Sequence, residues 1–100
     1  MAKYELPIYG AGDEMIKKYE TNVCAWGIYL RAAEIEDEFA EKGGAGDFEQ
    51  LQAINEVLKL LFIGITDEEL ARADANDVVN TFKQISQIGK TKSVASVKNT

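Results

Sequence analysis

The sequence predicts an all-α fold: a small bundle of four to five helices with an extended N-terminal arm or edge strand. Three observations lead there. Residues 63–89 carry two helix starts in quick succession. Residues 48–65 carry a long apolar stripe at helical spacing. A phase-coherent run of apolar positions links Tyr19 to Ala33.

The chain has 100 residues, enough for one domain with a modest core. Hydrophobic residues make up 46% and charged residues 28%, as in ordinary globular proteins. Residues 1–89 read as a single helical domain whose arm spans 1–12. The net charge is −6, so phosphate backbones and anionic membranes repel it, and neither nucleic acid nor a membrane is the expected partner. There is one cysteine, Cys24, and no histidine. No internal disulfide can form, no basic start precedes an apolar run, and no stretch nears the roughly 18–20 apolar residues of a membrane span. A soluble intracellular protein is the expectation.

In Tyr4–Tyr9, Tyr4, Leu6 and Ile8 alternate with Glu5, Pro7 and Tyr9. This is a half-buried strand pattern, and Pro7 restricts it to an edge strand or an extended arm. An edge strand needs a partner from elsewhere in the chain or from a second copy, which makes a homo-oligomer one expectation. Gly10 to Gly12 breaks the chain. Asp13 then caps a predicted short helix over 13–19, with Met15, Ile16 and Tyr19 inside. Thr21 and Asn22 are both good caps, and a long helix is predicted over about 22–41. Tyr19, Val23, Trp26, Leu30 and Ala33 keep one phase, which allows the two to be continuous, and Trp26 is placed in the centre of the core. Cys24 reads as a small packed hydrophobe. The later half of this helix is acidic, with Glu34, Glu36, Asp37, Glu38 and Glu41, and reads as a solvated face. A docking surface for a basic partner is the alternative.

Lys42–Gly46 is a loop, and Asp47 caps the next helix. Phe48, Leu51, Ile54, Val57, Leu58, Leu61, Phe62 and Ile65 form a stripe wide enough to be packed on two sides. Gly64 ends that helix or sits in its C-terminal turn. Thr66 and Glu69 have the spacing of a capping box, and Asp74 caps a further helix whose inner stripe is Val78, Phe82, Ile85, Ser86 and Ile88. From Lys90 the chain has three lysines, no acid and no helical phase, which predicts a flexible basic tail over 90–100.

No constellation for catalysis emerges. Without histidine there is no Ser-His-Asp or Cys-His arrangement, and one cysteine excludes a Cys-rich zinc site. Asp74, Asn76 and Val78 match the start of a calcium loop, but Val79 stands where glycine is required and Ile85 where glutamate is. Neither GAG nor GGAG has the lysine of a phosphate loop. The helix–turn–helix outline of 67–88 places Asp74 and Asp77 where a DNA reader places cations. No enzyme activity, metal or cofactor is expected.

The segment Phe62–Leu70 (FIGITDEEL) together with Ala73–Gln84 (ADANDVVNTFKQ) resembles the tail assembly chaperones of long-tailed, siphovirus-type bacteriophages of Gram-positive hosts. Tyr4–Gly10 (YELPIYG) and Tyr19-Glu20-Thr21 are similar to the same group. The resemblance implies a mostly helical protein that binds the phage tape measure protein and keeps it soluble. It further implies help in polymerising the tail tube protein around the tape measure, action in the host cytoplasm and absence from the mature virion. The family commonly makes a longer form by a translational frameshift, which a loose tail after Gly89 would suit. It supplies no catalytic residues. Surface for a partner helix is expected on the arm and the last two helices, at Leu6, Ile8, Tyr9, Val79, Phe82 and Ile85, with plain core as the competing reading of Phe82 and Ile85. A small acidic regulatory or inhibitor-type binding module is the alternative function.

Overall fold

The computed structural model describes residues 2–41, 43 and 48–89. The predicted cap at Asp47, most of the loop before it and the tail 90–100 lie outside them. Two strands come first, β1 (Tyr4–Tyr9) and β2 (Met15–Thr21). Four helices follow: α1 (Trp26–Glu41), α2 (Phe48–Leu61), α3 (Asp67–Ala71) and α4 (Ala75–Ser86). The domain is therefore mixed α and β, and the predicted all-α bundle is incorrect.

The error lies at residues 13–21. Met15–Thr21 form a strand rather than a helix, because β1 offers a ladder that a short helix cannot match. The loop Gly10–Glu14 reverses the chain: the Asp13 N–H donates to the Gly10 carbonyl at 3.1 Å and the Gly10 N–H to the Glu14 carbonyl at 2.8 Å. Asp13 takes φ +63°, a left-handed conformation that Asp tolerates in turns. β2 then pairs antiparallel with β1 from Tyr4↔Thr21 to Ile8↔Lys17, with a bulge between Ile8 and Tyr9. Ile16, Tyr19 and Thr21 suit a pleated surface. On the outward face of this hairpin Lys18 pairs with Glu5 at 3.5 Å and Glu20 at 3.0 Å.

The alternation read in β1 holds: Tyr4, Leu6 and Ile8 are buried and their neighbours half-buried. Its second edge is met at its two ends from within the chain. Ile8 forms a bridge with Ala73, Tyr9 N–H donates to the Arg72 carbonyl at 3.2 Å, and Gln84 Nε2 donates to the Lys3 carbonyl at 3.1 Å. The arm has thus found its partners, and the reason given for self-association through it falls away.

α1 begins at Trp26, not near residue 22, because the predicted cap is otherwise engaged. Asn22 Oδ1 accepts from the Lys3 N–H at 2.9 Å, tying the chain to β1. The helix also turns a different face inward. Ala32 and Ile35 are fully buried, with Ile28 and Phe39 packed against the core, whereas Trp26 is 69% exposed. Burying the Trp26–Leu30–Ala33 stripe along the helix would carry Asp37 and Glu41 inward, at the cost of desolvating unpaired charge. The Ile28–Ala32–Ile35–Phe39 stripe stays apolar for its whole length.

α2 buries Ile54, Val57, Leu58 and Leu61 as its pattern predicts, followed by Phe62 and Ile65, while Phe48 and Leu51 remain exposed. Gly64, at φ +95°, occupies the turn after it. The capping box of α3 forms in full: the Glu69 N–H donates to Thr66 Oγ1 and the Thr66 N–H to Glu69 Oε1, each at 3.1 Å. Asp74 caps α4 through the Asp77 N–H at 3.3 Å. α1 packs on α2 and α4, and α4 also covers β1, so one core joins hairpin and helices.

Candidate functional site

An apolar concavity lies where α1, α2 and α4 meet. Phe39 and Ala40 of α1, Leu51 and Ile54 of α2, and Val79 and Phe82 of α4 line a groove of about 450 Å³, with Glu36 and Lys83 at its edge. Each helix contributes for a local reason. α1 presents Phe39 as the last member of its inner stripe. α2 presents Leu51 and Ile54 one turn apart. Behind the Asp74 cap, α4 places Val79 and Phe82 one turn apart. Phe39 and Phe82 meet edge-on, with ring centroids 6.4 Å apart at 80°. That contact forms a rigid floor, because Phe82 is only 3% exposed. Leu51 and Val79 stand exposed at the mouth. Glu36 accepts a hydrogen bond from Ser86 Oγ at 3.3 Å, which fixes the α1–α4 side of the groove. The arrangement offers apolar contact and no reacting group.

Of the six residues predicted to hold a partner, the structure brings Val79 and Phe82 into this groove. Leu6, Ile8 and Ile85 are buried core residues with no surface to offer. Tyr9 lies in a separate polar depression with Asp13, Arg72, Asp74 and Asp77. Sequence reading missed Phe39, a lone aromatic within the acidic half of α1, and placed Leu51 and Ile54 only on a stripe packed on two sides. The width of the α2 stripe was the usable signal, since a two-sided stripe leaves one side for a groove.

A second depression, about 650 Å³, is lined by Gln52, Asn55, Glu56, Lys59, Leu60 and Asp67. Five of these six residues are polar, and Lys59 is paired with Asp67 at 3.0 Å, so it has less to offer an apolar ligand. Among the described residues, no three His, Cys, Asp or Glu side chains are placed to share a metal ion.

The strongest electrostatic feature joins the hairpin to α3. Glu69 Oε1 accepts from the Tyr19 hydroxyl at 2.6 Å and Glu69 Oε2 from Lys17 Nζ at 3.1 Å. The Tyr19 hydrogen bond, helped by Lys17 and the Thr66 N–H against partial desolvation, lowers the Glu69 carboxyl to a pKa of about 2. Lys17 in turn rises above its usual range and sits 4.6 Å from the Tyr19 ring centroid. The cluster is a structural clasp: it docks β2 on the capping box. Half-buried Cys24 is pushed up by burial, which keeps it a thiol rather than a nucleophilic thiolate.

Among the described residues no helix is long and apolar enough to cross a membrane. No family model matches the chain, and no curated protein or solved structure is significantly similar to it.

Proposed function

We propose that this protein is a non-enzymatic binding module whose α1–α2–α4 groove holds an amphipathic helix of a partner. Following the resemblance of residues 62–84, that partner is a phage tape measure protein. The protein acts as a tail assembly chaperone in the host cytoplasm: it covers apolar stripes of the tape measure, keeps it soluble while tail tube protein assembles around it, and leaves before the virion is complete. The observation that carries this reading is the open apolar groove with its Phe39–Phe82 floor. Helix-in-groove recognition needs such a floor, exposed apolar shoulders and an occupant with anchors at i, i+3, i+4 and i+7. A tape measure protein, long and amphipathic, supplies such helices repeatedly.

Co-expression with a tape measure protein from the same genome tests the reading, with the soluble fraction of that partner as readout. The wild-type chain is expected to raise it. Val79→Asp and Leu51→Asp, both at exposed positions, are expected to fold normally and lose the effect. Tyr9→Asp, outside the groove, is expected to retain it. Folded Val79→Asp and Leu51→Asp proteins that still keep the partner soluble would overturn the assignment.

A further inference from the structure

The groove has walls of unlike charge. The C-terminal half of α1 carries Glu34, Glu36, Asp37, Glu38 and Glu41 and no cation. Glu34 is paired with Arg31, and Glu36 accepts from Ser86. Asp37 and Glu41 are exposed and, among the described residues, have no ion-pair partner. They stand at the unfavourable end of their helix. α1 has no basic residue in its last turn, where the dipole places partial negative charge, so anions there weaken the helix rather than steady it.

The groove opens at this same end. Phe39 and Ala40, which line it, belong to the last turn of α1, and Glu36 stands at its edge. Ala40 sits one helical turn from both Glu36 and Asp37, and Glu41 lies one turn beyond Asp37, so carboxylates flank the apolar lining on the α1 wall. The facing wall differs. α4 brings Lys83 to the groove and no carboxylate. Arg31 and Lys59, the other cations of α1, α2 and α4, are paired with Glu34, Glu56 and Asp67.

We infer that the helix held in this groove is cationic, with Lys or Arg flanking its apolar anchors on the side that meets α1. The inference rests on the groove reading above and adds the chemistry of the occupant. An occupant with an uncharged flank would draw Asp37 and Glu41 out of water with nothing to offset them. An acidic flank would add like-charge repulsion. A basic flank gives these carboxylates, and the negative end of α1, a counter-charge as water is displaced. A second copy of the chain, at net charge −6, is disfavoured on the same ground.

The test uses two synthetic helical peptides with the same leucine anchors at i, i+3, i+4 and i+7. The flanking positions are lysine in one and glutamate in the other. Each is titrated into the isotopically labelled full chain, with the Leu51 and Val79 methyl resonances as readout. The lysine peptide should bind about fivefold or more tightly than the glutamate peptide at low salt, and the ratio should shrink toward unity at about 1 M salt. The double variant Asp37→Lys with Glu41→Lys should lose or reverse that preference while its thermal midpoint holds or rises, because both substitutions suit the dipole of α1. Leu51→Ser, which changes no charge, should weaken both peptides alike. Equal affinities, a preference for the glutamate peptide, or a double variant that keeps the lysine preference would overturn the inference and leave the groove reading intact. Lysine-peptide binding that Leu51→Ser does not weaken would also overturn it, since the charges would then act without the groove. If neither peptide moves the Leu51 and Val79 resonances, the groove reading itself fails, and the inference with it.

Discussion

Residues 62–86 and residues 13–33 carry equally regular apolar spacing, yet the first stretch folds as its sequence reads and the second does not. In 62–86 the structure follows from groups within four residues of each other. Gly64 supplies the left-handed turn, Thr66 and Glu69 satisfy each other's amides, and Asp74 caps the next helix. In 13–33 the outcome depends on distant partners. Met15–Thr21 becomes a strand because β1 is available to pair with it, and Asn22 is drawn away from capping by the Lys3 N–H, nineteen residues earlier. Hydrogen bonds that close locally can be read from spacing. Apolar periodicity identifies a stripe but leaves open what the stripe faces.

The largest expected effect separates the two stripes of α1. Ile35→Ala should cost about 2–5 kcal/mol in chemical denaturation, since it empties a fully buried site. Trp26→Ala should stay within about 0.5 kcal/mol. A Trp26→Ala loss as large as that of Ile35→Ala would restore the core role that helical phase alone assigned to Trp26.

Smaller effects probe the locally determined segment. Gly64→Ala should destabilise by about 1–2 kcal/mol, because φ +95° is unfavourable for any residue with a Cβ, although nothing crowds the position. An unchanged thermal midpoint would mean that the turn relaxes into another conformation. Thr66→Ala should cost about 1 kcal/mol through loss of the α3 cap. A negligible change would show that the clasp from Tyr19 and Lys17 holds α3 without it.

The Glu69 clasp is where the two regions meet, and its signature is pH dependence. The carboxyl is at about 2 in the folded protein against an ordinary value of 4.5. A folded value below the unfolded one adds stability that is fully present above about 4.5 and is lost as pH falls toward 2. Thermal midpoints of wild type and Glu69→Gln should therefore differ near neutrality and converge across that window. Curves that stay parallel from pH 6 to pH 2 would show that Glu69 is not held by Tyr19 and Lys17.

The same division explains how much of the candidate site could be read. Val79 and Phe82 were found because the Asp74 cap fixes the phase of α4. Phe39, Leu51 and Ile54 were not, because a groove exists only where three helices diverge, and their divergence depends on which face α1 turns inward. With the Trp26 stripe as core, Phe39 has no neighbour to meet. Leu6 and Ile8 were mistaken for a free surface for the mirror reason: with β2 read as a helix, the arm had nothing to pack beneath.

The central claim is that the α1–α2–α4 groove holds a partner helix. The most direct measurement is a two-dimensional NMR titration of the isotopically labelled chain with a helical segment of the tape measure protein. The account predicts chemical-shift changes and intermolecular contacts centred on Phe39, Leu51, Ile54, Val79 and Phe82, with the hairpin residues Lys17–Thr21 unmoved. Saturable binding centred on the hairpin or on Tyr9, with the groove resonances unchanged, would contradict it.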